Sequence, residues 1–216
     1  MMTVKASIFL TIFLFIHSIA FSHDVIQPDW RGLDGTTHQI WEFTTSGNPV
    51  LPDVDNNPYG DPTATITVGL LGEGWLETLG FGSQTGLWDL GDGGGQIVLD
   101  IPNRPEPLPY KEIRIQVTYF MDISQPPTID VPGAAYVGGQ TGVLIEDTGM
   151  GSGWYLDLSI WRIEPNPSSE KIYLYSSATW GTVIDQIVVD TICAPEPATI
   201  CLLTIGGLFA RGKRRR

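Results

Sequence analysis

Residues 111–121 read KEIRIQVTYFM. Ile113, Ile115, Val117, Tyr119 and Met121 fall on one parity, and Glu112, Arg114, Gln116 and Thr118 on the other. Strict two-residue alternation predicts an antiparallel strand with one face on a core and the other in water. A helix, with its 3.6-residue repeat, would scatter those apolar side chains around its circumference.

The same period recurs in residues 39–44, 64–71, 96–101, 154–163, 171–176 and 183–189. In GWYLDLSIWRIE, residues 153–164, Trp154, Leu156, Leu158 and Ile160 form one predicted face, and Tyr155, Asp157 and Ser159 the other. Between these runs lie SGNP, DVDNNPYGDP, GDGGG, PNRPEPLP and SQPP. Gly supplies positive φ and Pro is excluded from central strands, so these stretches are loops. No segment sustains an apolar helical period, and no internal repeat suggests a propeller or β-helix. The expected fold is all-β, a single antiparallel β-sandwich of jelly-roll type spanning residues 23–192.

The 216 residues carry a formal net charge of −12. Residues 23–192 hold six Lys or Arg against twenty-three Asp or Glu, a net charge of −17. Such a domain repels nucleic-acid phosphates and anionic lipid, so neither is an expected partner. Cations, or neutral polymers such as glycans, are compatible. Cys193 and Cys201 both follow the domain, and His38 is the one histidine well inside it. The domain therefore lacks an internal disulfide, a CxxC metal pair and a cysteine nucleophile. Acidic residues are too plentiful for any carboxylate pair to stand out, and a non-enzyme is expected.

Both ends are apolar. Residues 1–25 read MMTVKASIFLTIFLFIHSIAFSHDV, with Lys5, an apolar run over 8–16, and small residues Ala20 and Ser22 before His23. That layout predicts a signal peptide, residues 1–22, cut between Ser22 and His23. At the other end, CAPEPATICLLTIGGLFARGKRRR occupies residues 193–216. Its apolar run, 198–210, is shorter than the roughly 20 residues that span a bilayer comfortably. The basic cluster Arg211, Lys213, Arg214, Arg215 and Arg216 would hold its end on the cytoplasmic side. Both termini then face inward and the acidic domain outward.

Pro195, Glu196 and Pro197, the apolar segment and the terminal basic cluster together resemble the PEP-CTERM sorting signal of Gram-negative bacteria. The resemblance implies passage through the secretion machinery and transient insertion in the inner membrane. It further implies processing near Pro-Glu-Pro by an exosortase-type enzyme, then delivery to the cell surface or an extracellular matrix. WGTVIDQIVVDT, residues 180–191, resembles the closing strand of galactose-binding-like and lectin-like jelly rolls.

Within the domain, Asp53, Asp55 and Asn57 place oxygens at alternate positions, as calcium loops do. An EF-hand is excluded, because Pro58 stands where its glycine belongs and Ala64 where its glutamate belongs. No other cofactor is implied. Asp89, Asp92 and Gly93–95 form either a cation loop or a hairpin tip. Tryptophan is mostly buried, but sugars stack on exposed rings. Trp161 is the best candidate for a ligand platform, alternating with the buried-looking face of its strand; Trp75, in GEGWLE, is second. The leading expectation is a structural or adhesive exported protein. The alternative is a carbohydrate-binding, lectin-like module, calcium-assisted, associated with extracellular polysaccharide.

Overall fold

β-branched and aromatic residues in alternation, cut by Gly- and Pro-rich turns, leave this chain little choice but to pair strands. A computed structural model describes residues 24–80, 82–122 and 124–194. The signal peptide with its Ser22–His23 cut lies outside the described residues. So do Pro195, Glu196, Pro197, Cys201, the apolar run 198–210 and the basic cluster 211–216.

Twelve strands form among the described residues, with no helix: β1 (Thr36–Trp41), β2 (Val54–Asn56), β3 (Thr63–Thr67), β4 (Gly74–Leu76), β5 (Leu87–Asp89), β6 (Gln96–Pro102), β7 (Tyr110–Met121), β8 (Thr128–Asp130), β9 (Ala134–Gly149), β10 (Ser152–Ile163), β11 (Ser169–Tyr175) and β12 (Val183–Ala194). The larger sheet runs β2-β1-β12-β7-β10-β9, with β5 also paired to β12 and β4 to β5. The smaller runs β3-β6-β11-β8. Every pairing is antiparallel. The antiparallel β-sandwich expected from the alternation is therefore observed.

The main core lies between the sheets. Ile113, Ile115 and Val117 of β7, Ile184, Ile187 and Val189 of β12, and Trp41 of β1 face Ala64, Ile66, Ile97, Leu99, Ile101, Ile172 and Leu174 of the smaller sheet. β6, with its burial strictly alternating, is the half-buried strand that the period predicts.

β7 is not. Gln116, Thr118 and Phe120, on its second face, are as buried as Ile113 and Ile115. The back of the larger sheet has its own small core, in which Phe120, Trp154, Leu87 and Val183 pack with Leu76, Leu79 and Ile145. A strap preceding β1 reaches Gln116, whose Oε1 accepts the Ile26 N–H at 3.0 Å. The register explains the split: Trp154 pairs with Phe120 and Leu158 with Gln116, so the apolar face expected of β10 lies on the back of the larger sheet, away from the main core. Its other parity, carrying Trp161, turns toward the main core.

Polar contacts join the two sheets at one end. Lys111 at the start of β7 donates to both oxygens of Glu170 on β11, at 2.6 and 2.8 Å, and to Asn103 Oδ1 just past β6. Asn103 Nδ2 donates to Glu170 Oε2 and to the Pro167 carbonyl. The Lys111 and Glu170 side chains are 0% and 1% exposed. β12 passes the boundary drawn at Ile192 and continues through Cys193, which is buried, its amide bonded to the Gly35 carbonyl.

Ile115 is fully buried in the middle of the main core. Ile115→Ala is expected to cost about 2–5 kcal/mol, read as a lowered denaturant midpoint at unchanged slope.

Candidate functional site

The densest polar constellation outside the inter-sheet contact forms where the strap crosses β1, β12 and β7. Arg31 is the only Lys or Arg between residues 6 and 103. Its guanidinium grips Asp190 of β12 bidentately, Nε to Oδ1 and Nη2 to Oδ2, both at 2.6 Å. On its other side it donates to both oxygens of Asp24, the Nη2 to Oδ1 bond measuring 2.9 Å. Asp24 Oδ1 also accepts from Gln116 Nε2 at 3.1 Å. His38, opposite Asp190 in the β1–β12 ladder, places Nδ1 3.0 Å from Asp190 Oδ1 and Nε2 4.0 Å from Asp24 Oδ2.

The fork geometry of arginine suits this double grip, and low exposure strengthens each charge-assisted bond. Burial alone would raise the Asp24 carboxyl, but the hydrogen bonds and charge of Arg31 outweigh it and hold the group below its ordinary value. Burial likewise opposes the charge on Arg31, and the two carboxylates reverse the effect and raise its pKa. Beside the clamp opens a depression of about 480 Å³, lined by Gln27, Arg31, Leu33, Thr36, His38 and Asn56. Its volume suits a small ligand. Its hydroxyl, Thr36, donates to the Leu33 carbonyl at 2.7 Å. Chemically, the arrangement fastens the strap and leaves a depression lined by two amides, a hydroxyl, one imidazole and a guanidinium already held by two carboxylates.

The residues singled out in the sequence lie elsewhere. Asp53 accepts from the Glu42 amide at 2.8 Å and the Thr44 hydroxyl at 2.6 Å. Asp55 accepts from the Asn57 amide, and Asn57 from the Tyr59 amide while donating to the Pro102 carbonyl. These oxygens stabilise a turn flanking β2, and no group of three His, Cys, Asp or Glu able to hold a metal occurs among the described residues. Asp89 serves the amides of Glu73 and Gly91 in the same way. Trp75 is half-buried against the main core, donating to the Phe43 carbonyl at 2.8 Å. Trp161 is half-buried there too, its Nε1 on Ser159 Oγ at 2.9 Å. The exposure expected of Trp161 fails because the parity of β10 is reversed; its edge-on neighbour Tyr136 is the ring left open, at 58% exposure.

Alternation missed one aromatic pair. Tyr173 and Tyr175 share the outer face of the smaller sheet, rings inclined by only 10° with centroids 5.8 Å apart. Thr65, Val98 and Asp130 stand level with Tyr173, and Thr67, Gln96 and Thr128 level with Tyr175. All six Lys and Arg of residues 23–192 are paired with carboxylates, so no lysine or arginine is left uncommitted among the described residues. No protein-family model and no curated protein matches the chain.

Arg31→Ala would leave Asp190 buried beside Asp24 without its counter-charge, an expected loss of about 3 kcal/mol. Because the folded pKa of Asp24 is lowered, its contribution is present above its unfolded pKa and is lost as pH falls through the folded value. Trp30, stacked under Arg114 with the guanidinium carbon 5.5 Å from the ring centre, reports the event. Its fluorescence should change in acid before global unfolding in the native chain, and already at neutral pH in Arg31→Ala.

Proposed function

We propose that this is an exported, non-enzymatic envelope or matrix protein, delivered by exosortase-type sorting through its C-terminal signal. The observation that carries this reading is the proximity of Asp24 and Ala194, the first and last described residues of the domain. One guanidinium bridges Asp24, two residues after the proposed signal-peptide cut, to Asp190. β12 ends at Ala194, immediately before Pro195. At about 3.3 Å per residue, the four residues from Asp190 to Ala194 span about 13 Å. Asp24 and Ala194 thus lie at nearby points on one sheet, which supports a topology with both ends of the domain turned to the same membrane. The full pairing of basic residues supports an outward surface without affinity for nucleic acid.

The sorting part is tested by following the chain in a host with such a system. Glu196→Ala, or removal of residues 211–216, should leave an unprocessed, membrane-retained precursor. Normal release of both variants would sink the reading.

A second reading, a lectin-like jelly roll, is supported by the outer face of the smaller sheet. β5 to β9 alternate between the sheets, as jelly-roll strands do. The parallel tyrosines, flanked by threonine hydroxyls, the Gln96 amide and the Asp130 carboxylate, match what a neutral sugar chain offers: apolar ring faces and hydroxyls that donate. Polysaccharide pull-down should weaken at least tenfold in Tyr173→Ala/Tyr175→Ala. Equal retention of that variant, with loss in Trp161→Ala or Trp75→Ala, would move the site to the tryptophans.

A further inference from the structure

Lys111, Asn103 and Glu170 are 0%, 4% and 3% exposed, and they come from three separate segments: β7, the stretch just past β6, and β11. An ion pair alone would need only the lysine and the glutamate. Here an amide is wedged against both, its oxygen on the lysine nitrogen and its nitrogen on the carboxylate. The amide is also fixed from outside, by Nδ2 on the Pro167 carbonyl at 3.0 Å and by its own backbone N–H on the Ser168 carbonyl at 3.0 Å. A nitrogen touching the amide oxygen stands one bond away from the electrophilic carbon, and a carboxylate touches both the nucleophile and the leaving nitrogen.

We propose that Lys111 and Asn103 become joined by an isopeptide bond, formed within the folded domain with Glu170 as the proton-transferring catalyst. Glu170 takes a proton from the Lys111 ammonium across the 2.6 Å contact. The neutral Nζ attacks Asn103 Cγ, forming the new C–N bond and a tetrahedral centre. Glu170 then delivers its proton to Nδ2, with which it already shares a hydrogen bond, and the Cγ–Nδ2 bond breaks. Nδ2 departs as ammonia, which leaves as ammonium with the remaining proton from Nζ. One amide replaces another, nothing is oxidised or reduced, and Glu170 is regenerated.

Two physical effects favour the step. Holding amine and amide in contact replaces a bimolecular encounter with one of very high effective concentration. Burial, which discourages charge, pushes the Glu170 carboxyl up against the pull of Lys111 and so favours its role as proton acceptor. The neighbouring thiol, Cys193, is a poor competitor, because burial pushes it up as well. The product would staple the end of β6 in one sheet to the start of β7 in the other.

The test is mass spectrometry of the full-length chain, denatured after purification. The expected mass is one ammonia below that required by the sequence. In the chymotryptic map, where cleavage after Tyr110 separates the two residues, the peptide containing Asn103 should be covalently joined to the one that begins at Lys111. The joined peptide distinguishes the cross-link from cyclisation of Asn103 onto its own backbone, which expels the same ammonia. Glu170→Gln, shown to fold by circular dichroism, should carry the full mass and yield separate peptides. A folded native chain with full mass and free Lys111 would overturn the proposal whatever the variant does. Bond formation in Glu170→Gln would remove the catalytic role of Glu170.

Discussion

The larger sheet depends on β12. This strand pairs with β1 along one side, β7 along the other, and β5 beyond the end of β1. Ten consecutive residues, 181–190, are buried, including Asp185, Gln186 and Asp190, so both faces of the strand are covered. β1, near the beginning of the domain, has β12 as its long partner, with only the three-residue β2 on its other edge. The sheet therefore cannot close until the end of the domain has been made. Long-range pairing of this kind folds slowly.

The domain uses its scarce cations where geometry is most demanding. Two of six are substantially buried: Arg31 between two carboxylates behind the larger sheet, and Lys111 between the sheets. Buried ion pairs carry a heavy desolvation cost, and removing one partner is worse than never having had the pair. Each of these two is accordingly surrounded by further polar groups, Gln116 and His38 around the first and Asn103 around the second. They determine where the strap lies and how the sheets are aligned at one end.

How much of this was readable beforehand depends on what each segment asks of its neighbours. β6 and β11 bury one face against one core, so alternation predicts them closely. β7 and β10 bury both faces to different degrees, and alternation alone cannot say which face meets which layer; hence the reversed reading of Trp161. β9 was invisible, because AAYVGGQTGVLIEDTG has no sustained period and is held by backbone pairing to β10. The clamp left one trace, an arginine isolated in a long acidic stretch. Lys111 left another: it opens the alternating run on the apolar parity, where a lysine has no business without a partner. Neither trace names its partners, since Asp190 and Glu170 lie far along the chain.

β9 has a consequence for how copies of this protein could coexist at high density. It is the outermost strand of the larger sheet, 16 residues long, with Tyr136, Val137 and Leu144 more than half exposed. A straight strand of that length and composition would be a template for another chain. Four register shifts interrupt its ladder to β10. Each bulge bends the strand and breaks the regular spacing of its free donors and acceptors. A neighbouring copy arriving edge to edge could match only a few residues before falling out of step. Crowded side by side, such domains would touch as separate particles and would not fuse into a continuous sheet.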